Sequence, residues 1–148
     1  RESNYKAWVP VMYGCNNFCT YCVVPYARGH ERSRKREDVV AEVKSLVENG
    51  YKDITLLGQN VNSSSGGCDF ATLISECASF DGEYRVRFMT SHPKDLSDEL
   101  IHAYASLKHL MPHLHLPVQA GDDRVLSAMR EEDFNTLMDN AIAIQPEV

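Results

Sequence analysis

Residues 8–22 read WVPVMYGCNNFCTYC, a short apolar run followed by three cysteines within eight residues. The apolar residues 8–12 predict a strand, and the proline among them favours a strand start or an edge position. Cys15, Cys19 and Cys22 follow in a C-x3-C-x2-C spacing on the loop after this strand. In a parallel sheet that loop lies at the carboxyl end of the strands, where α/β proteins hold their chemistry.

The chain after the cysteines alternates between helical and extended patterns. Apolar residues from position 39 to position 47 recur with the spacing of one helix face, and Asn49-Gly50 ends that helix. The β-rich run at residues 53–58 completes a strand–helix–strand unit, which builds parallel sheets. The alternation predicts an α/β fold, either a wound sheet or part of a (β/α) barrel. Farther along we predict a flexible loop over residues 63–67, a helix from residue 70 to 77, a strand over residues 85–89, a helix from residue 97 to 107, a strand over residues 113–117 and a short helix around residues 125–129.

Length and composition limit the function classes. The 148 residues, 43% of them apolar, suffice for one globular domain. The odd number of five cysteines argues against a disulfide framework, and no apolar run is long enough to span a bilayer. We therefore expect a cytoplasmic protein with no membrane partner. Because the net charge is −6, any binding of nucleic acid must rest on a local basic patch.

The clustered cysteines admit three interpretations. Buried structural cysteines fit poorly, because these residues lie on one loop rather than on one periodic face. A structural zinc site needs a fourth ligand, which Cys68 or His30 could supply, although neither belongs to a recognisable second pair. Three thiolates on one loop suit an iron–sulfur cluster better, because thiolates are soft ligands that bind iron. In a cubane they would hold three irons and leave the fourth open to a small chelating molecule.

The residues around the cysteines resemble a known family. The C-x3-C-x2-C run, with the aromatic Tyr21 before the last cysteine, is similar to the radical S-adenosylmethionine superfamily. Residues 14–34, residues 56–62 (LLGQNVN) and residues 113–119 (HLHLPVQ) resemble the methylthiotransferases of that superfamily. The Gly-Gln-Asn-Val-Asn and Glu-Arg-Ser-Arg stretches resemble its MiaB branch. The likeness covers residues 7–130.

This resemblance implies a fold, an activity and cofactors. It implies a partial (β/α) barrel of the radical-SAM type, incomplete in this chain, that is the core of a tRNA methylthiotransferase. The implied reaction adds a methylthio group to C2 of isopentenyladenosine next to the tRNA anticodon. Cys15, Cys19 and Cys22 would hold a 4Fe–4S cluster whose open iron chelates S-adenosyl-L-methionine, and no other residue is an obvious acid or base. Two alternatives stay open: a methylthiotransferase acting on a ribosomal protein, and a zinc-binding RNA-interaction module without catalysis.

The resemblance also carries expectations about the extent of the chain. Members of the family usually have an amino-terminal domain with a second 4Fe–4S cluster and a small carboxyl-terminal β-domain that binds RNA. We expect residues 1–148 to be a fragment, the radical-SAM core without those two domains, that does not insert sulfur on its own. The second cluster is then expected only in the amino-terminal domain. Because the chain continues from Met129 into a stretch resembling a later part of the family, we also expect an internal omission after Arg130.

Polar residues near the predicted strand ends are candidates for cofactor contacts. Gln59 and Asn60 end the second predicted strand, Gln119 follows the fourth, and Tyr21 precedes the last cysteine. Polar side chains at carboxyl strand ends line the sites of such folds, and amides that merely cap loops are the alternative. Ser91 and His92, after the third predicted strand, are further candidates.

A basic stretch follows the cysteines. Residues 28–36 contain five basic residues and one acidic residue, a local charge of +4 in an acidic chain. A solvated charge run at a helix entry has the same pattern. Because guanidinium groups grip phosphates and stack on bases, we expect Arg28, Arg32 and Arg34 to contact RNA, with the tRNA anticodon stem-loop as partner. A reducing electron donor is a second expected partner, and we expect a monomer.

Overall fold

The computed structural model describes residues 3–129 together with residue 139. The internal omission expected after Arg130 lies outside these residues. The structure confirms the α/β class, and none of the helices in its described part is long and apolar enough to cross a bilayer. Two short 3-10 turns lie at Val61–Ser63 and Pro93–Asp95. In chain order the strands and helices are β1 (Lys6–Pro10), β2 (Met12–Tyr13), α1 (Val24–Arg28), β3 (Arg32–Ser33), α2 (Arg36–Glu48), β4 (Asp53–Leu57), α3 (Phe70–Cys77), β5 (Arg85–Met89), α4 (Asp98–Ser106) and α5 (Asp123–Met129).

Three parallel strands form the main sheet, in the order β1-β4-β5. The strand predicted over residues 8–12 is divided in two, because β2 leaves this sheet and pairs antiparallel with β3. Val11, between the two parts, donates its N–H to the Leu57 carbonyl at 2.8 Å and accepts the Arg34 N–H at 2.8 Å. This residue therefore joins the main sheet to the small one.

The hydrophobic core lies between one face of the main sheet and helices α2, α3 and α4. Because side chains alternate across a strand, each strand contributes every second residue to it. Phe88 of β5 is fully buried and meets Phe70 of α3 edge to face, with ring centroids 4.9 Å apart. Other fully buried core side chains are Val9, Val39, Val43, Ile54, Leu56, Ile74 and Val86.

Side-chain caps fix the starts of two predicted helices. The Asp69 carboxylate accepts the Thr72 N–H at 2.8 Å at the start of α3, and these hydrogen bonds from Thr72 hold the pKa of Asp69 below its ordinary value. The Ser97 hydroxyl accepts the Leu100 N–H at 3.2 Å at the start of α4. Both helices therefore begin within one residue of their predicted positions.

The strand predicted over residues 113–117 is wrong. The chain meets the edge of β5 earlier, where Leu110 forms one parallel bridge with Val86. Pro112 follows and has no N–H to continue a ladder. The His113 N–H instead donates to the carbonyl two residues before it, at 2.7 Å, so the backbone turns out of the sheet. The alternation of histidine and leucine here is a feature of an irregular segment.

Candidate functional site

The three cysteines lie on the loop between β2 and α1, which we call the cysteine loop (residues 14–23). Gly14 opens it with φ +75°, and a Cβ at this position would overlap the backbone carbonyls of Gly29 and His30. The Gly14 N–H donates to Gln59 Oε1 at 2.7 Å, and Gln59 follows the carboxyl end of β4. The loop is therefore anchored at the carboxyl edge of the main sheet, as the sequence predicted.

The cysteine side chains have the chemistry of cluster ligands. Cys15 is buried, Cys19 and Cys22 are half-buried, and none of them is in a disulfide. The Asn17 N–H donates to Cys15 Sγ at 3.5 Å. Within residues 3–129, no three His, Cys, Asp or Glu side chains converge on a single metal-ion position. Three thiols on one loop match in number and type the donors that hold a 4Fe–4S cubane, in which each cysteine binds a different iron.

Two further residues of the loop tie it to distant parts of the chain. Asn16 Oδ1 accepts from His30 Nδ1 and from the Glu31 N–H, both at 3.1 Å. The Thr20 hydroxyl donates to the Ala128 carbonyl at 2.9 Å, at the end of α5. Sequence reasoning missed both Asn16 and Thr20. A small polar residue in a loop gives no signal of its partner when that partner lies far along the chain.

Gln59 and Asn60, predicted as cofactor contacts, differ in how the structure uses them. The Oε1 of Gln59 accepts the Gly14 N–H, so this amide supports the cysteine loop. Asn60 is 3% exposed, and its Nδ2 donates to Asp95 Oδ2 at 2.6 Å. The Oδ1 of Asn60 is buried without a hydrogen-bond partner. An unpaired buried oxygen costs about 1–3 kcal/mol, so Asn60 is suited to receive a polar group of a ligand.

Ser91 has the same feature at the end of the neighbouring strand. It is 5% exposed, and its Oγ is buried without a partner. Because β4 and β5 are adjacent and parallel, Asn60 and Ser91 both lie at the carboxyl edge of the sheet. A cavity of about 260 Å³ opens at this edge, beside the cysteine loop. Its lining residues are Pro10, Met12, Tyr13, Leu57, Gly58 and Gln59.

The other two predicted cofactor contacts, Tyr21 and Gln119, are exposed. Tyr21 lies on the cysteine loop with 49% of its surface accessible. Gln119 lies in the irregular segment before α5, with a left-handed backbone at φ +67°. This backbone conformation is uncommon for a residue with a side chain.

The three predicted RNA contacts also differ. Arg28 ends α1 and Arg32 lies on β3, and both side chains are exposed beside the cysteine loop. Arg34 is half-buried, and its Nη1 donates to the Pro10 carbonyl and to Glu42 Oε2, both at 2.8 Å. Its guanidinium is therefore used within the fold, linking β1 to α2.

Of the other two cysteines, Cys77 ends α3 and Cys68 lies just before that helix. Cys77 is fully buried in the core, and burial raises the pKa of its thiol to about 12. Burial also raises the pKa of the Cys68 thiol. Because the thiolate is the metal-binding form, a raised pKa disfavours each of these thiols as a ligand.

A larger cavity, of about 630 Å³, lies at the opposite, amino-terminal edge of the sheet. Asp53 and Arg87 line it and form an ion pair, with Oδ1 and Nε 3.0 Å apart. This cavity is separate from the cysteine loop, since the two lie at opposite ends of the parallel strands.

Comparison with known proteins gives one family and a consistent group of relatives. The profile of the Radical SAM superfamily matches residues 9–145. A protein of Thermoanaerobacter sp. (strain X514) is 58% identical over 136 residues, which covers 89% of this chain and 29% of that protein. One of Clostridium perfringens (strain SM101 / Type A) is 53% identical over 153 residues, covering 100% of this chain and 34% of that protein. A protein of Carboxydothermus hydrogenoformans is 56% identical over 133 residues, which covers 87% of this chain and 30% of that protein. All three relatives are named tRNA-2-methylthio-N(6)-dimethylallyladenosine synthase. The chain thus spans about a third of the length of the curated relatives it matches.

Proposed function

Because this chain belongs to the Radical SAM superfamily, we propose that it is the catalytic core of a tRNA methylthiotransferase. The proposed reaction adds a methylthio group to C2 of isopentenyladenosine next to the anticodon. The names of relatives at 53–58% identity support this choice of substrate. The observation that carries the proposal is the cysteine loop, with three reduced thiols anchored by Gly14 and Gln59 at the carboxyl edge of a parallel sheet. We propose that this sheet is one part of a partial (β/α) barrel.

In this proposal Cys15, Cys19 and Cys22 hold a 4Fe–4S cluster. When bound, the cluster and S-adenosyl-L-methionine supply a one-electron bond cleavage that activates an unreactive C–H bond. The residues of the chain bind and orient these groups. Sulfur insertion needs a further sulfur source, which we propose is a second 4Fe–4S cluster held in the amino-terminal domain that members of the family usually have.

Two of the proposed cofactor contacts are side chains with a buried oxygen that has no hydrogen-bond partner. Asn60 Oδ1 and Ser91 Oγ are buried acceptors without partners at the carboxyl edge of the main sheet, where a bound ammonium or hydroxyl group would satisfy them. Tyr21 and Gln119 stay proposed contacts, whereas Gln59 acts one step away, by holding the Gly14 N–H. No acid–base pair is required of these residues, which suits a reaction whose chemistry the cofactor carries.

The proposed partners are a tRNA anticodon stem-loop and a reducing electron donor, with the protein acting as a cytoplasmic monomer. The exposed side chains of Arg28 and Arg32 support the choice of RNA, because both lie next to the cysteine loop. Arg34 differs from them, since its guanidinium is bound to Glu42 within the fold. A flipped or unstacked adenine would reach the cavity edge from this side.

Anaerobic reconstitution with iron and sulfide tests the cluster and its cofactor. The reduced protein is expected to give the EPR signal of a 4Fe–4S cluster, and this signal should shift when S-adenosyl-L-methionine is added. A triple variant Cys15→Ala, Cys19→Ala, Cys22→Ala should lose the signal. The matched control Cys68→Ala should keep it, because that thiol lies at the start of α3.

Two results would redirect the proposal. A colourless protein that retains one zinc ion would support the zinc-binding RNA-interaction module. A cluster that binds S-adenosyl-L-methionine, in a protein that binds isopentenylated and unmodified tRNA equally, would support a protein substrate instead.

A further inference from the structure

The surface around the cysteine loop is unusually apolar for an exposed region. Of the eight large apolar side chains that are exposed within residues 3–129, five lie between positions 13 and 26. Contiguous exposed apolar patches mark interaction sites, whereas scattered single residues do not. These five side chains are Tyr13, Phe18, Tyr21, Val23 and Tyr26.

Three rings of this region are held in a fixed arrangement, which we call the aromatic platform (Phe18, Tyr26 and His30). The Phe18 ring centroid lies 6.1 Å from that of Tyr26, at an interplanar angle of 88°, and 5.9 Å from that of His30, at 60°. Asn16 fixes the His30 ring through its Nδ1. Tyr26 is 79% exposed, so its ring is accessible to a ligand.

The backbone of Phe18 supports a role in presenting its ring. Its φ is +49°, a left-handed conformation that is costly for a bulky residue. Such conformations persist where the surrounding structure holds them, and they cluster at functional sites. Here the contacts of Asn16 on one side and Thr20 on the other hold the loop at both ends.

Basic residues border the platform. Residues 28–36 carry a local charge of +4 within a chain of net charge −6, and Arg28 and Arg32 are exposed among them. A partner for this surface therefore has flat apolar faces together with negative charge. Unpaired nucleotides have both, whereas in a duplex the base faces are already stacked on one another.

We propose that the aromatic platform stacks an unpaired base of a single-stranded RNA loop, while Arg28 and Arg32 bind the phosphates beside it. This inference rests on the proposed function and adds to it a binding site for a base that neighbours the modified adenine. Phe18 lies on the cysteine loop, and Tyr26 and His30 follow it on and after α1. An RNA loop held there therefore presents the next nucleotide toward the carboxyl edge of the main sheet.

Equilibrium binding of a fluorescein-labelled anticodon hairpin to the reconstituted 148-residue chain tests this proposal over a series of KCl concentrations. Tyr26→Leu and Phe18→Leu are expected to weaken binding about tenfold, as loss of one base–aromatic stack does. The slope of log affinity against log salt should stay unchanged in these variants, because no phosphate contact is lost. Arg28→Ala and Arg32→Ala should each reduce that slope by about 1.

Controls separate stacking from misfolding. Tyr26→Phe keeps the ring and should bind like the parent, and Tyr5→Leu removes an exposed tyrosine far from the platform without effect. A fully paired duplex of the same stem should be insensitive to Tyr26→Leu. Circular dichroism melting checks that each variant is folded.

The outcomes distinguish this inference from the proposed function. Parent affinity for the hairpin in both the Phe18→Leu and Tyr26→Leu variants would overturn the platform and leave the RNA substrate standing. Failure of the cluster-loaded parent to bind any RNA would overturn both. Weakening of duplex binding as large as that of hairpin binding would overturn the stacking mechanism.

Discussion

Gly14 and Gln59 illustrate how a single contact sets the position of the site. Gly14 adopts φ +75° where a Cβ would strike two backbone carbonyls, so glycine is required there. Its N–H is bound by Gln59, which comes 45 residues later and follows the neighbouring strand of the sheet. The sequence predicted Gln59 as a cofactor contact because polar residues at strand ends line such sites. The structure gives its side-chain oxygen a supporting role one residue away from the first cysteine.

Arg34 is the residue for which sequence and structure lead to different experiments. The guanidinium holds the Pro10 carbonyl and Glu42, with both charged side chains less than one-third exposed. Arg34→Ala leaves these acceptors without their donor, so the free energy of unfolding should fall by about 1–3 kcal/mol in urea titrations. Arg32→Ala, at an exposed position, should change it by less than about 0.5 kcal/mol. Equal stability of the two variants would show that the Arg34 contacts contribute nothing.

The segment from β3 into α2 and the turn at Val61–Ser63 form one junction. Glu31 accepts hydrogen bonds from the hydroxyls of Ser33, at 3.1 Å, and Ser63, at 2.8 Å. The Arg36 N–H donates to the Gly66 carbonyl at 2.7 Å. The sequence predicted residues 63–67 to be a flexible loop from their serine and glycine content. The structure shows that this composition instead allows close backbone contact, since a Cβ at Gly66 would overlap the Arg34 carbonyl.

Tyr84, between α3 and β5, makes the free energy of unfolding depend on pH in the alkaline range. Its hydroxyl donates to the Cys77 carbonyl and accepts the Phe80 N–H, both at 3.0 Å, and burial raises its pKa to about 12. In the unfolded chain a tyrosine titrates near pH 10. Folding therefore favours the neutral phenol, so the contribution of Tyr84 is complete below about pH 10 and is lost as pH rises from about 10 to 12.

Urea titrations at several pH values test this prediction. Tyr84→Phe should be less stable than the parent by about 1 kcal/mol at neutral pH, because two hydrogen bonds are lost. Between about pH 10 and 12 the variant should lose about 2 kcal/mol less than the parent, since it has no phenol to ionise. The exposed Tyr5→Phe is the matched control. Parallel pH curves for parent and Tyr84→Phe would contradict the assignment.

Within residues 3–129, the main sheet has one face covered by helices and one face that these helices leave open. Helices α2, α3 and α4 cover the first. On the second, Trp8, Thr55 and Arg87 lie in one register across the three strands, and Trp8 is 62% exposed. The cysteine loop lies at the carboxyl edge of the main sheet and the larger cavity at its amino-terminal edge, so the open face extends from one to the other.

Trp8 fluorescence reports on this open face, because Trp8 is the single tryptophan of the chain. The emission of the 148-residue chain should resemble that of a tryptophan in water and should be quenched efficiently by acrylamide. Adding denaturant should then shift the emission maximum only slightly. A blue-shifted emission protected from acrylamide would show that the open face is covered in solution.

The sequence determined those features that depend on neighbours along the chain. Apolar residues at a period of 3.6 specified α2, α3 and α4, because that period buries one face of a helix, and short β-rich runs specified β4 and β5. The cysteine spacing likewise specified the candidate cluster ligands without reference to any other part of the chain. One local pattern misled: the alternation at residues 113–117 does not form a strand, since Pro112 breaks the ladder next to β5.

Folding alone settled the contacts between residues far apart in sequence. It brought Gln59 to Gly14, Arg34 to Glu42 and Thr20 to Ala128, and it left Asn60 Oδ1 and Ser91 Oγ buried without partners. Each of these contacts depends on strand order and register, which set distances between side chains that the sequence leaves many residues apart. Residue type limits which hydrogen bonds a side chain can make, but the packing of the parallel strands selects its partner.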